Sequence, residues 1–252
     1  MPNTVPTLQF IRFKEVIVFL KITEVEHYTD TLFRIRTERP NTFRFTAGEF
    51  TMIGMGDDDI NRAYSITSGP YDDFLEFYSI KVPDGPLTSR LQHVKVGDEL
   101  EVGDKPTGTL TLANLELGGD LWMLATGTGI APFISLLRDP TTYDSFNRIH
   151  VVWSVRQAKE LLSYNEFLQE MDIDYIPIVT RDPEWPEQRN RMTDLIKDGI
   201  ILTNGDPNTD KIMICGSMPF NNDLKDIVTN SGWVEGNRRT AGNFVQEKAF
   251  VL

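Results

Sequence analysis

Cysteine is nearly missing, with Cys215 the only one in 252 residues. A single thiol excludes an intrachain disulfide, a four-cysteine zinc site and an iron–sulfur cluster held on this chain's own cysteines. Histidine is almost as scarce. His27, His93 and His150 are scattered and show no metal-ligand spacing, so no metal is expected. Positive charge is short as well: 25 Lys and Arg stand against 37 Asp and Glu, for a net charge of −12. That balance argues against sequence-independent nucleic-acid binding and against an anionic membrane surface. Long apolar runs are also lacking. Val16 to Leu20 is too short to span a bilayer, and Met1 to Gln9 has neither the basic start nor the apolar run of a secretion signal. A cytoplasmic protein is the expectation, without membrane or nucleic-acid partners. Redox chemistry in such a chain would need an organic cofactor.

What is present is ordinary globular material, 40% hydrophobic and 25% charged, with length enough for one large domain or two smaller ones. The first part reads as short strands at Val16 to Thr23, Thr31 to Thr37, Phe50 to Gly54, Ala63 to Ser68, Phe74 to Val82 and Thr107 to Leu112. Turn-formers such as Arg39-Pro40-Asn41, Asp57-Asp58-Asp59 and Gly69-Pro70 separate them, and Pro86 starts a short helix at about Leu87 to Val94. This pattern predicts an antiparallel barrel or sandwich. Near Asn114 to Asp120 the texture changes to apolar strands alternating with helical stretches. Helices are expected near Ala131 to Arg138, Ala158 to Met171, Thr193 onward and Asn221 to Asn230. Near-continuous apolar strands between helices indicate a parallel sheet covered on both faces. The expected organisation is therefore an N-terminal antiparallel β-barrel over residues 1–115 and a C-terminal doubly wound α/β domain over 116–252.

Two stretches carry chemistry. Arg62-Ala63-Tyr64-Ser65-Ile66-Thr67-Ser68, read as a strand, puts a cation, an aromatic and an aliphatic on one face and small residues on the other. That is not an ordinary half-buried strand. In Leu121-Trp122-Met123-Leu124-Ala125-Thr126-Gly127-Thr128-Gly129-Ile130-Ala131-Pro132-Phe133, a strand meets a glycine turn and then a helix. Gly127 and Gly129 permit a tight turn and close approach of a ligand, and a helix start offers free N–H groups to an anion. Pro132 stands where a dinucleotide fingerprint has its third glycine, so the bare pattern fits a purely structural turn as well. Arg156, Arg181 and Arg191 follow strand ends or loops of the same domain. Each alone fits a solvated surface; as a set they suit an extra phosphate, such as the 2′-phosphate of NADP.

The order of motifs Arg62 to Ser65, Phe77 to Val82 with Gly85 to Leu91, Gly127 to Phe133, Cys215 to Phe220 and the ending Phe244 to Leu252 resembles the ferredoxin–NADP reductase family, the bacterial branch above all. The resemblance covers essentially the whole chain. It implies an FAD-binding barrel and an NADP(H)-binding α/β domain. In it Arg62 is similar to the arginine that pairs with the FAD pyrophosphate, Tyr64 to the aromatic on the isoalloxazine ring and Ser65 to the hydroxyl near flavin N5, with Ala63 between. Tyr78, Ile80 and Lys81 resemble the strand along the ribityl and adenine side, and Leu87, Thr88 and Ser89 the helix start that holds the FAD phosphates. Thr128 resembles the residue between flavin and nicotinamide, and Cys215 the cysteine beside nicotinamide C4. For NADP the set is completed by Gly127, Gly129, Gly216 and the three arginines. Ala249 and Phe250 resemble the flavin- and adenine-contacting pair of one bacterial subgroup. The resemblance thus gives Tyr64, Ser65 and Cys215 the catalytic positions, while Glu247 fits either a proton relay or a surface carboxylate.

The function implied is hydride transfer between NADP(H) and FAD, with single electrons passing to a separate ferredoxin or flavodoxin, by a monomer. An acidic carrier would need a basic patch, for which Arg12, Lys14 and Lys21, or Arg34, Arg36, Arg39 and Arg44, are candidates. Two other readings stay open: the NAD(P)H-dependent reductase of an oxygenase system or a flavin reductase, and a non-catalytic flavin- or nucleotide-binding regulatory subunit. If a flavin lies along Arg62 to Ser68, strict two-face alternation cannot hold and the strand should bend or end near Tyr64-Ser65.

Overall fold

The computed structural model describes residues 16–56, 60–186 and 190–249. Its first half holds six strands: β1 (Ile17–His27), β2 (Leu32–Glu38), β3 (Phe50–Gly54), β4 (Arg62–Ser65), β5 (Phe74–Ile80) and β6 (Glu99–Gly103). All pair antiparallel, in the order β4-β3-β6-β1-β2-β5. The two edges are drawn together by a bridge between Ile66 and Phe77 and by the Thr67 amide donating to the Glu76 carbonyl at 2.8 Å. The sheet thus nearly closes into a barrel. Alternate residues such as Leu20, Ile22, Phe33, Ile35, Leu100 and Val102 fill it, as the two-residue period of a strand requires. The short helix α1 (Thr88–Leu91) caps this core with Leu87 and Leu91.

One expected strand is displaced. Thr107 to Leu112 is not a strand; Glu99–Gly103 takes the place between β1 and β3. Glu99-Leu100-Glu101-Val102 alternates polar and apolar side chains, which suits a barrel wall, and it follows a turn at Gly97 with φ of +96°. The later segment makes one bridge, Thr107 to Phe50, and is then pressed against other backbone. A Cβ on Gly48 would stand 1.9 Å from the Leu110 carbonyl oxygen, which leaves no room for a regular ladder.

The second half holds β7 (Asp120–Thr126), β8 (Arg148–Val155), β9 (Asp174–Val179), β10 (Lys211–Gly216) and β11 (Phe244–Lys248), all parallel, in the order β11-β10-β7-β8-β9. Helices α2 (Ala131–Leu137), α3 (Pro140–Ser145), α4 (Asn165–Glu170), α5 (Met192–Lys197) and α6 (Met218–Asn230) connect them. Leu121, Met123, Ala125, Val151 and Trp153 face one core with α2 and α4, while Trp122, Leu124, Val152, Ile212 and Ile214 face another with α5 and α6. Both faces of the sheet are therefore covered. β7 lies in the middle with later strands added on either side, so the strand order reverses between β7 and β10, where an open α/β sheet forms its ligand crevice. The first of the two cores also contains Leu32, Ala47, Tyr78 and Leu110 from the barrel, which makes the two halves share apolar contact. Among the described residues no helix is long and apolar enough to cross a membrane.

Candidate functional site

The strand β4 ends at Ser65. Arg62 and Ala63 are exposed, Tyr64 and Ser65 half-buried, and Ile66, Thr67 and Ser68 buried in succession. Two-face alternation is lost at Tyr64-Ser65, because the chain leaves β3 there and turns in to meet β5. Arg62 donates to the Asn61 carbonyl at 2.9 Å and, among the described residues, makes no ion pair. The Tyr64 hydroxyl lies 3.2 Å from Ser79 Oγ, and burial raises its pKa.

The glycine turn sits at the sheet's reversal point. Gly127 has φ of +53°, and no atom stands within 4 Å of where its Cβ would be, so the backbone faces open space. Its carbonyl is held at 2.8 Å by the indole N–H of Trp153. Gly129 is packed instead: a Cβ there would stand 2.2 Å from the Cys215 carbonyl oxygen. Thr128 is 8% exposed and Cys215 wholly buried, with its thiol pKa raised well above the ordinary value by burial and then by Glu247. A Cβ on Gly216 would stand 2.2 Å from Thr126 Oγ1, which ties the end of β10 to the end of β7.

The barrel and the sheet meet here through a short series of neighbours. Phe50 pairs with Ser65 on one side and with Thr107 on the other. Arg238, reaching over from the other half, donates to Thr107 Oγ1. Gly108 would place a Cβ 3.3 Å from Glu247 Oε2, and Glu247 pairs with Cys215 along β10 and β11. Burial lifts Glu247 to about 7, against the Leu110 and Thr109 amides and the Arg238 charge, which pull it down. Its Oε2 is buried without a hydrogen-bond partner. The Ala249 amide then donates to the Gly216 carbonyl at 2.9 Å, returning the chain to the same place; Phe250 lies outside the described residues.

The remaining expected residues spread away from this centre. Tyr78 is 4% exposed and accepts a hydrogen bond from Ser163 of the second half at 2.9 Å. Ile80 is half-buried, and Lys81 donates from Nζ to the Thr29 carbonyl. The Leu87 side chain is in the barrel core, the Thr88 hydroxyl donates to the Val82 carbonyl, and the Ser89 amide donates to the Gly85 carbonyl. The amides of Leu87 and Thr88 have no backbone acceptor among the described residues. Arg156 and Arg181 are exposed and adjacent, joined by the Arg181 amide donating to the Arg156 carbonyl at 2.9 Å. Arg191 is exposed at the start of α5, with no described contact to that pair.

Of the candidate partner patch, Arg34, Arg36 and Arg39 are already engaged within the barrel. Arg34 and Arg36 are held by Glu24, Glu26 and Glu76, and the Arg39 guanidinium donates to the carbonyls of Phe43, Pro70 and Asp72. Arg44 and Lys21 are exposed; Arg12 and Lys14 lie outside the described residues. A cleft of about 580 Å³ lined by Arg39, Arg44, Tyr71 and neighbours shares no residue with the seam. Sequence reasoning did not single out Trp153, Arg238 or Glu76. No local motif marks them, since each acts on residues more than twenty positions away.

These residues fit the two cofactors named by the resemblance. An unpaired exposed guanidinium, a half-exposed phenol ring and two free amides suit a flavin dinucleotide, and the bare Gly127 turn at the strand reversal suits a second dinucleotide. Comparison with known proteins agrees. The family model "Oxidoreductase NAD-binding domain" matches residues 123–226. A flavodoxin/ferredoxin–NADP reductase from Rhodobacter capsulatus is 44% identical over 91% of this chain and 92% of its own. A ferredoxin–NADP reductase from Azotobacter vinelandii is 40% identical over 92% of this chain and 96% of its own. A crystal structure of a ferredoxin NADP+ reductase from Neisseria gonorrhoeae with bound FAD and NADP superposes with a TM-score of 0.86 at 30% identity, covering 93% of this chain and 99% of that one.

Proposed function

The chain belongs to the ferredoxin–NADP reductase family, and on that premise we propose that it is an FAD-dependent oxidoreductase exchanging a hydride with NADP(H) and single electrons with a separate ferredoxin or flavodoxin. One observation carries this reading: the end of β4, the Gly127 turn and the paired ends of β10 and β11 converge on one seam between barrel and sheet. Flavin, when bound, supplies the capacity to take two electrons as a hydride and release them one at a time.

The chain's own part is binding, orientation and dryness. Arg62 pairs with pyrophosphate, the Tyr64 ring gives a flat apolar surface, and the Leu87 and Thr88 amides meet phosphate oxygens. Gly127 lets the second dinucleotide approach its backbone, and Arg156 with Arg181 offers two adjacent forks to a 2′-phosphate, which favours NADP(H) over NAD(H). Arg191 belongs to this set by sequence position. Thr128, Ser65 and Cys215 line the place where the rings would meet. Burial keeps the Cys215 thiol protonated, so it acts by packing and by excluding water, not as a nucleophile. Burial raises Glu247 to about 7, so its carboxyl gains or loses a proton near neutral pH beside Cys215, with which it pairs across β10 and β11. Ala249, bonded to Gly216, closes the site from the C-terminal side.

Anaerobic mixing tests the reading. The purified protein should be yellow, and NADPH should bleach it faster than NADH at equal concentration. A colourless protein, or a flavin neither nucleotide bleaches, overturns the function. Preference for NADH overturns only the role of the arginines. The same reading makes the enzyme a cytoplasmic monomer, which sedimentation and cell fractionation check.

A further inference from the structure

We propose that Glu76 is a positioning residue for hydride transfer, fixing the strand that carries Arg62 to Ser65 against the turn that carries Thr128 by way of Arg138; this rests on the function proposed above. Glu76 lies on β5, outside the seam, and its side chain is completely buried. Both carboxylate oxygens are used. Oε2 accepts from Arg36 Nε at 2.7 Å and Arg34 Nη1 at 3.3 Å, both from β2. Oε1 accepts from Arg138 Nη1 at 3.1 Å and from the Tyr164 hydroxyl at 3.0 Å, both from the second half.

Those partners lead to the reacting centre by short rigid paths. The Glu76 amide donates to Ser68 Oγ, and its carbonyl accepts from the Thr67 amide, so it grips the segment that continues from Ser65. Arg138 caps α2, the helix begun by the Gly127 turn, and also donates to the Thr67 carbonyl at 3.1 Å. Ser135, one turn earlier on α2, donates to the Ser68 carbonyl at 2.7 Å. An apolar contact in this place would pack equally well but would slide. A buried carboxylate shared by guanidinium groups from both halves permits one register, because any shift strands a charge away from water. Hydride transfer is steep in donor–acceptor distance, so this register controls its rate.

The test uses the full-length, flavin-loaded protein and its Glu76→Gln and Arg138→Lys variants, mixed anaerobically with NADPH in a stopped-flow instrument. The expected result for Glu76→Gln is flavin content and NADP+ affinity within about twofold of wild type, with the saturating rate of flavin reduction down roughly tenfold. Arg138→Lys keeps the charge but not the fork and should be slower by about threefold. The double variant should lose less than the product of the two single losses, since the two residues share one contact while Arg138 keeps its own bond to the Thr67 carbonyl. Saturating rates equal to wild type, even with a lower melting temperature, would overturn the proposal; so would a rate loss matched by lost flavin or weaker NADP+ binding. If Glu76→Gln does not fold, Arg138→Lys decides on the same criteria. A wild-type flavin that NADPH does not bleach would overturn the underlying function as well, an outcome distinct from wild type and variants bleaching alike.

Discussion

Gly127 and Gly129 stand two residues apart and need to be glycine for different reasons. At Gly127 a methyl group would meet nothing, but φ of +53° strains an L-residue by about 1–2 kcal/mol. At Gly129 the backbone is ordinary, and the methyl would stand 2.2 Å from the Cys215 carbonyl oxygen, forcing β10 or the turn to move. Gly127→Ala should therefore fold with a loss of about 1 kcal/mol and a clear weakening of nucleotide binding, because the new Cβ enters the open approach. Gly129→Ala should lose about 1–3 kcal/mol or more through overpacking. Urea midpoints separate the two, and a Gly129→Ala protein as stable as wild type would contradict the packing seen here. Arg62 is the opposite kind of residue, exposed and without an ion pair among the described residues. Arg62→Ala should leave the stability of the flavin-free protein within about 0.5 kcal/mol. It should weaken flavin binding roughly ten- to hundredfold, the worth of a hydrogen bond to a charged group. Fluorescence titration of flavin into both proteins measures the difference.

At the scale of elements, β11 shows how a strand sets a proton's place. It pairs with β10 so that Glu247 lies beside Cys215, and Gln246 and Glu247 are carried into the seam, where burial lifts the carboxyl to about 7. The sign of its effect on stability follows. Below the ordinary glutamate value both folded and unfolded chains keep the proton, and the stabilisation is complete. As pH rises from there towards 7 the unfolded chain loses its proton first, so stability falls, and it levels off above 7. The fall is about 3 kcal/mol at most for a half-buried group. Glu247→Gln should flatten that slope in urea titrations run at several pH values; parallel profiles for the two proteins would refute it. Elements also decided what could be read in advance. The apolar runs of β7, β8 and β10 were legible, because burial on both faces is a local pattern. The end of β4 at Ser65 was expected only from the flavin that the resemblance implies, since the residues by themselves read as a strand to Ser68. The sixth barrel strand was not legible. Glu99–Gly103 is short, and its two polar–apolar repeats are too few to stand out until it is paired between β1 and β3. Glu76 reads as an ordinary polar residue on β5, and its three arginine and one tyrosine partners come from positions distant in sequence.

The whole molecule carries a net charge of −12, and under the function proposed above an acidic carrier would approach it against that field. Arg34, Arg36 and Arg39 give no help, since their charges are met by carboxylates or their donors by carbonyls. Exposed cations at the seam include Arg62 on β4, Arg238 on Thr107 and Lys248 at the end of β11. Global repulsion and local attraction act over different distances, and salt removes them in turn. The Debye length is about 30 Å at 0.01 M, about 10 Å at 0.1 M and about 3 Å at 1 M. Screening of the distant acidic surface is therefore largely complete before contacts of a few ångströms are weakened. The rate of carrier reduction should rise on going from about 0.01 to 0.1 M salt and fall beyond it. Replacing Arg238 and Lys248 together by Gln should remove much of the falling limb and leave the rise, because only the local attraction is lost. Stopped-flow traces of the prereduced enzyme mixed with ferredoxin or flavodoxin across that range read both limbs. A rate that falls from the lowest salt onward would mean that local cations outweigh the net charge at every distance, and a flat rate would mean that charge does not steer this encounter.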